Sequence, residues 1–178
     1  MPNASTLPIP RPAANEYAPY YGRYIDRVTG DDALASLESQ IVETLALLAG
    51  LDDARSLHRY APGKWSVKEV VGHLTDAERV FAYRALRFAR ADRTPLPGFD
   101  ENVYVPEGRF DARPMRDIAS DFRLVREASL ALFRSLDAEA LVRVGEANQS
   151  PMSVRALAWV LAGHELHHVT ILRERYGL

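Results

Sequence analysis

The chain has 178 residues, 47% hydrophobic and 26% charged, with a formal net charge of −2 and no cysteine. That length supports one domain with a real hydrophobic core and leaves little room for a second. The near-balanced charge gives no general pull toward nucleic acid or an anionic membrane, and the missing cysteine excludes disulfides, thiolate metal sites and a cysteine nucleophile.

Residues 1–30 carry Pro2, Pro8, Pro10, Pro12 and Pro19 and then a tyrosine cluster, Tyr17, Tyr20, Tyr21 and Tyr24. The first dozen residues read as a loose arm, the tyrosines as a segment packed over the domain that follows, 31–178. Met1 to Pro12 lacks the continuous apolar stretch of a secretory signal. No segment approaches the run of about eighteen apolar residues that a membrane span needs, so a cytoplasmic protein is expected.

Helix one is predicted from about Asp31, as cap, to Ala49, with Leu34, Leu37, Ile41, Leu45 and Leu48 at three-four spacing. Helix two starts most clearly: Ser66 and Glu69 form a capping box, Trp65 can staple onto Val70, and Val67, Val70, Leu74, Ala77, Phe81, Ala85 and Phe88 make one stripe that reaches about Ala91. Residues 92–112 hold Pro95, Pro97, Gly98, Pro106 and Gly108 and are expected to be an irregular, functional or covering loop. Asp100, Glu101, Asn102 and Tyr104 in that loop either border a pocket mouth or are ordinary loop polarity. Helix three begins near Pro114, burying Ile118, Phe122, Val125, Leu132, Phe133 and Leu136. A second irregular stretch, about Val144 to Met152, leads to helix four, capped by Ser153 and ending near Tyr176. Four amphipathic helices without a convincing strand period predict an all-α, antiparallel four-helix bundle.

Five histidines are present, three of them in the run HELHH: His164, His167 and His168. Residues four apart share a helix face about 6 Å from one another, so two imidazoles there can grip one ion. On a helical wheel the stripe of Val154, Leu157, Leu161 and Leu172 centres almost over His168, with His164 beside it and His167 at its edge. His164 and His168 are therefore the inward pair, and inert core histidines are the competing reading. HELHH also matches the HExxH helix of zinc peptidases, with Glu165 in the general-base position. The remainder of that pattern fails, since the downstream ligand is missing and Glu174 lies about 9 Å farther along the axis. The third ligand must come from upstream. His58 sits in a polar stretch, whereas His73 lies at the flank of the helix-two stripe and is the better partner. Three neutral nitrogens leave a position open for water or substrate. Asp76 and Glu78 either orient a ligand or are simply solvated or paired.

The segments KWSVKEVVGHLTDAERVFAYRALR, TPLPGFDENVY and AGHELHHVTILRERYG, in this order and spacing, resemble the DinB-like, or YfiT-like, family of metal-dependent enzymes over about Glu16 to Leu178. The resemblance implies a four-helix bundle with a histidine triad, which falls here on His73, His164 and His168, and a divalent ion, nickel or zinc. It also implies a small-molecule substrate and chemistry with low-molecular-weight thiols such as bacillithiol or mycothiol, with no nucleic-acid partner, and a homodimer is expected. An ion with an open position lowers the pKa of a thiol and so suits a thiol-dependent transferase. The alternatives are a hydrolase in which Glu165 or Asp76 takes a proton from water, and a non-catalytic metal or ligand binder.

Overall fold

The computed structural model describes residues 7–178. In chain order it contains α1 (Gly22–Ile25), α2 (Ala33–Leu48), α3 (Asp53–Ser56), α4 (Val67–Ala89), α5 (Glu101–Gly108), α6 (Met115–Arg134), α7 (Ala138–Leu141), β1 (Val144–Ala147), β2 (Ser150–Ser153) and α8 (Val154–Tyr176). The long helices α2, α4, α6 and α8 are the expected four-helix bundle. None of the described helices is long and apolar enough to cross a membrane.

Local chemistry fixes their ends. At the start of α4 the Ser66 hydroxyl accepts from Glu69 N–H while the Glu69 carboxylate accepts from Ser66 N–H, at 3.1 and 2.8 Å. Asp32 rather than Asp31 caps α2, and Ser153 caps α8 as expected. Gly177, at φ +71°, closes α8 in the left-handed conformation that glycine adopts without strain. Along α4 the whole apolar stripe from Val67 to Phe88 is buried. On α2 the buried face is Leu34, Leu37, Gln40, Thr44 and Leu48 instead of the purely aliphatic one, with Ile41 and Leu45 only partly covered.

α4 packs against α6 and α8, and α2 closes the bundle between the same two helices. One end of the core joins Leu48, Val67, Val70, Met115, Ile118 and Leu172; the other joins Leu34, Phe88, Phe133, Leu157 and Trp159. Hence α4 runs antiparallel to α8 and α2 to α6, while α6 starts at the end where α4 started. The connection 90–114 therefore has to travel back along the bundle. It is not irregular throughout: Asp100 caps α5 by accepting from Asn102 N–H, and the helix contains Pro106. α5 runs only two residues beyond Pro106, to Gly108, so the proline signal marks the end of a short helix here and not its absence.

The stretch from Val144 to Met152, expected to be irregular, is largely a hairpin, with Val144 opposite Ser153 and Ala147 opposite Ser150. Asn148 and Gln149 turn it at φ 52° and 58°, the two positive values of a type I′ turn. Leu96 N–H donates to Glu146 and Asn148 N–H to Leu96, so the hairpin and the long connection are stitched together.

The arm is less loose than expected wherever it is described; residues 1–6 lie outside the described part. Ile9 is fully buried, and the indole N–H of Trp159 donates to the Ile9 and Pro10 carbonyls at 3.0 and 3.1 Å. Tyr21, Tyr24, Ile25 and Val28 belong to the core. The arm approaches α8 closely at Gly163, where a Cβ would stand 2.0 Å from the Tyr24 carbonyl oxygen. Gly→Ala in a helix ordinarily stabilises by about 1 kcal/mol. Here Gly163→Ala is expected to destabilise, by about 1–3 kcal/mol, because a backbone must move. A urea midpoint lowered relative to wild type, with faster proteolysis within residues 7–30, checks it; a raised midpoint refutes it.

Candidate metal centre

His73 stands in the second turn of α4, and His164 and His168 stand one turn apart on α8, so the α4–α8 packing brings all three together. His73 Nε2 is 3.1 Å from His164 Nε2, which is 3.2 Å from His168 Nε2. One ligand atom from each of the three lies within 4.8 Å of the others. Nitrogens bound tetrahedrally to one zinc ion at about 2.0–2.1 Å stand about 3.4 Å apart. Hydrogen bonding alone explains the cluster less well: a neutral Nε2 carries either one proton or one lone pair, and that of His164 faces two other Nε2 atoms. The donor set fits a single divalent cation.

Electrostatics agree. Burial, with a smaller contribution from His167, pushes His73 down to about 4. Burial first, and then the neighbouring imidazoles, hold His164 and His168 well below the usual histidine range. All three are neutral near pH 7, the form that ligates metal without first losing a proton.

Aromatic rings fix the imidazoles from several sides. The Trp65 ring is 4.9 Å from His73, and Tyr24 meets His164 edge-on at 5.3 Å and His167 at 5.7 Å. The triad forms the floor of a cavity of about 420 Å³ whose walls include Tyr21, Arg23, Phe81, Arg84, Phe99 and Glu101. Among these wall residues Glu101 comes from the loop expected to border a pocket mouth, and Tyr21 from the tyrosine cluster expected to pack over the domain. Arg84 carries a signal, since with His73, Ala77 and Phe81 it shares one face of α4; Arg23 carries none.

The carboxylates expected to move protons are not brought to the triad. Glu165 is 1% exposed and points into the bundle, where its Oε1 accepts from Thr44 at 2.6 Å. Its Oε2 lies 2.7 Å from Arg126 Nη2, an ion pair in which the N–H is not aligned with the oxygen. Asp76 pairs with Arg79 at 3.0 Å on the outer side of α4. Neither lines the cavity. His167 does line it and is not in the cluster, as the wheel implied. Burial, then Arg27 and Arg23, lower its pKa. His58 is an exposed loop residue set edge-on to Tyr176 at 6.0 Å. In the long connection Glu101 reaches the cavity, Asn102 borders a smaller recess that also touches His168, Asp100 is spent as a helix cap, and Tyr104 packs on Phe99 at 5.4 Å.

The family model of the DinB superfamily matches residues 7–172, and the chain belongs to that superfamily. No curated protein matches it. Among solved structures it is similar to YfiT from Bacillus subtilis, described as a probable metal-dependent hydrolase with an unusual four-helix bundle topology. The two chains are 17% identical, with a TM-score of 0.66 over 93% of each. At that identity the likeness is one of fold.

Proposed function

We propose that this DinB-superfamily chain is a metal-dependent enzyme in which His73, His164 and His168 hold one divalent ion, nickel or zinc, and that it transfers a low-molecular-weight thiol to a small electrophile. The observation that carries this reading is a convergent set of three neutral nitrogens at the floor of a cavity to which neither Glu165 nor Asp76 has access. A divalent ion there supplies Lewis-acid chemistry, lowering the pKa of a thiol or a water. Thiol chemistry asks less of a strong general base than water does, since a thiol starts near pKa 8.5.

The chain's own residues do the rest. Trp65, Tyr24 and Phe81 exclude water around the reacting end of the substrate. His167, neutral and beside the triad, accepts the thiol proton as the new S–C bond forms and the leaving group departs with its electron pair. Hydrolysis is the second reading. It is favoured by the description of YfiT, and it would use His167 or Glu101 in the same place.

Elemental analysis of untagged protein should give about one equivalent of metal for one three-ligand site. Turnover of an activated aryl halide should require both that metal and an added thiol. Ester cleavage with no thiol present would favour the hydrolase, and absence of metal with no uptake of nickel or zinc would end the metal reading. His167→Gln should keep its metal and lose roughly 100-fold or more in rate, the usual share of one proton-transfer group. Metal loss in that variant would put His167 among the ligands.

A further inference from the structure

Three cationic side chains are buried among the described residues: Lys68, Arg84 and Arg126. Lys68 has Asp53 at 3.0 Å, and Arg126 has Glu78 and Glu165 at 2.8 and 2.7 Å. Arg84, 3% exposed, has no carboxylate within ion-pair distance among the described residues. Its Nη2 donates to the Pro97 carbonyl at 2.9 Å, and its guanidinium carbon lies 5.4 Å from the Phe81 ring and 6.0 Å from Phe99. These contacts and the Tyr21 hydroxyl, which also faces the guanidinium, take up only part of its five N–H donors. Arg84 lines the same cavity as the triad. A buried guanidinium normally has an acid beside it, because burying an unpaired charge is expensive. Arg84 faces the cavity without one among the described residues.

We infer that Arg84 is the recognition point for a carboxylate on the substrate or co-substrate, so that the cavity selects small organic acids whose other end reaches the histidine triad. This rests on the proposed function only for what happens at the triad end. Phe81 is the spacer: its ring is 6.4 Å from that of His164, and Arg84 lies against the same ring. The guanidinium carbon therefore lies within about 12 Å of the His164 ring, a span that a short-chain acid can bridge. Charge on the wall agrees with an anion, since Arg23 and Arg84 outnumber Glu101 among the charged lining residues. One guanidinium fork suits a carboxylate, which it binds through two parallel N–H bonds.

The probes are a series of mercapto-acids of increasing chain length and the matching mercapto-alcohols. Binding is read on cobalt-loaded protein from the sulfur-to-metal absorption band, and on metal-free protein from the fluorescence of Trp65, which lines the cavity. Wild type should prefer the acid at least tenfold at the chain length that spans both ends, the contribution of one charge-assisted pair. Arg84→Gln should erase that preference and keep both cobalt stoichiometry and alcohol binding. Arg84→Lys should retain part of it. Equal binding of acid and alcohol by wild type would overturn the inference whether or not the variants fold, and so would an undiminished preference in Arg84→Gln. If cobalt does not bind, the metal reading fails alone, and the acid preference of metal-free protein still decides the role of Arg84.

Discussion

Arg126→Met is expected to cost the protein about 3–5 kcal/mol, the effect of stripping one member from a buried ionic cluster. Arg126 comes from α6 and is 1% exposed. Its Nε and Nη2 donate to the two oxygens of Glu78 on α4, both at 2.8 Å, and Nη1 donates to the Leu37 carbonyl of α2 at 3.1 Å. Glu165 of α8 completes the cluster, so one guanidinium ties all four long helices together at mid-height. Burial works against the charge on Arg126, and the two carboxylates outweigh it and raise its pKa. Glu165 is shifted upward by its own burial despite the arginine, so it is poised to take a proton once Arg126 is gone. Denaturant unfolding of Arg126→Met should show the loss. The triple variant Arg126→Met, Glu78→Leu, Glu165→Met should recover much of it, because the cost lies in uncompensated charge. A triple variant as unstable as the single one would move the cause to packing.

This cluster also shows what the sequence could and could not reveal. The four helices, the Ser66–Glu69 box and the inward pair His164 and His168 follow from spacing and local hydrogen bonding, and the structure places them accordingly. Glu165 sits within the same five-residue run, and the motif made it a base. On a helix buried on nearly all sides, however, residue i+1 points about 100° away from residue i, and here that direction leads to Thr44 and Arg126 rather than to the cavity. No local pattern on α8 distinguishes a polar residue facing solvent from one facing a partner that arrives from α6. The hairpin is hidden in the sequence for a different reason. Asn148 suits a type I′ turn, but Gln149 and Pro151 both argue against it, and the pairing of Leu96 with the hairpin supports it from outside. The wall of Tyr21, Tyr24 and Phe99 is non-local throughout, assembled from the arm and the long connection.

Loss of one triad imidazole is expected to have the largest functional effect. His164→Ala should lower affinity for zinc or nickel by more than about 100-fold, since even the groups that merely support metal ligands contribute 10–100-fold. Turnover should fall with it. His164 is the central member, being the one whose Nε2 approaches both others. The pH dependence of the metal-free protein gives an independent reading. His73 is held at about 4 in the fold, below the ordinary 6.5 of an unfolded chain. Below pH 6.5 the unfolded state therefore binds protons that the folded state refuses, and stability falls with pH until the folded pKa is reached. For His73 alone that amounts to about 3 kcal/mol, and the downward shifts of His164 and His168 act in the same direction. Unfolding midpoints of metal-free wild type should thus drop markedly between pH 7.5 and 5.0, and drop less in His164→Ala, which has one fewer imidazole to protonate. Zinc added at pH 7.5 should raise the melting temperature of wild type and leave that of the variant unchanged, because binding to the folded state alone stabilises it. Equal zinc stabilisation of both proteins would mean that the three imidazoles are core histidines and that the ion binds elsewhere.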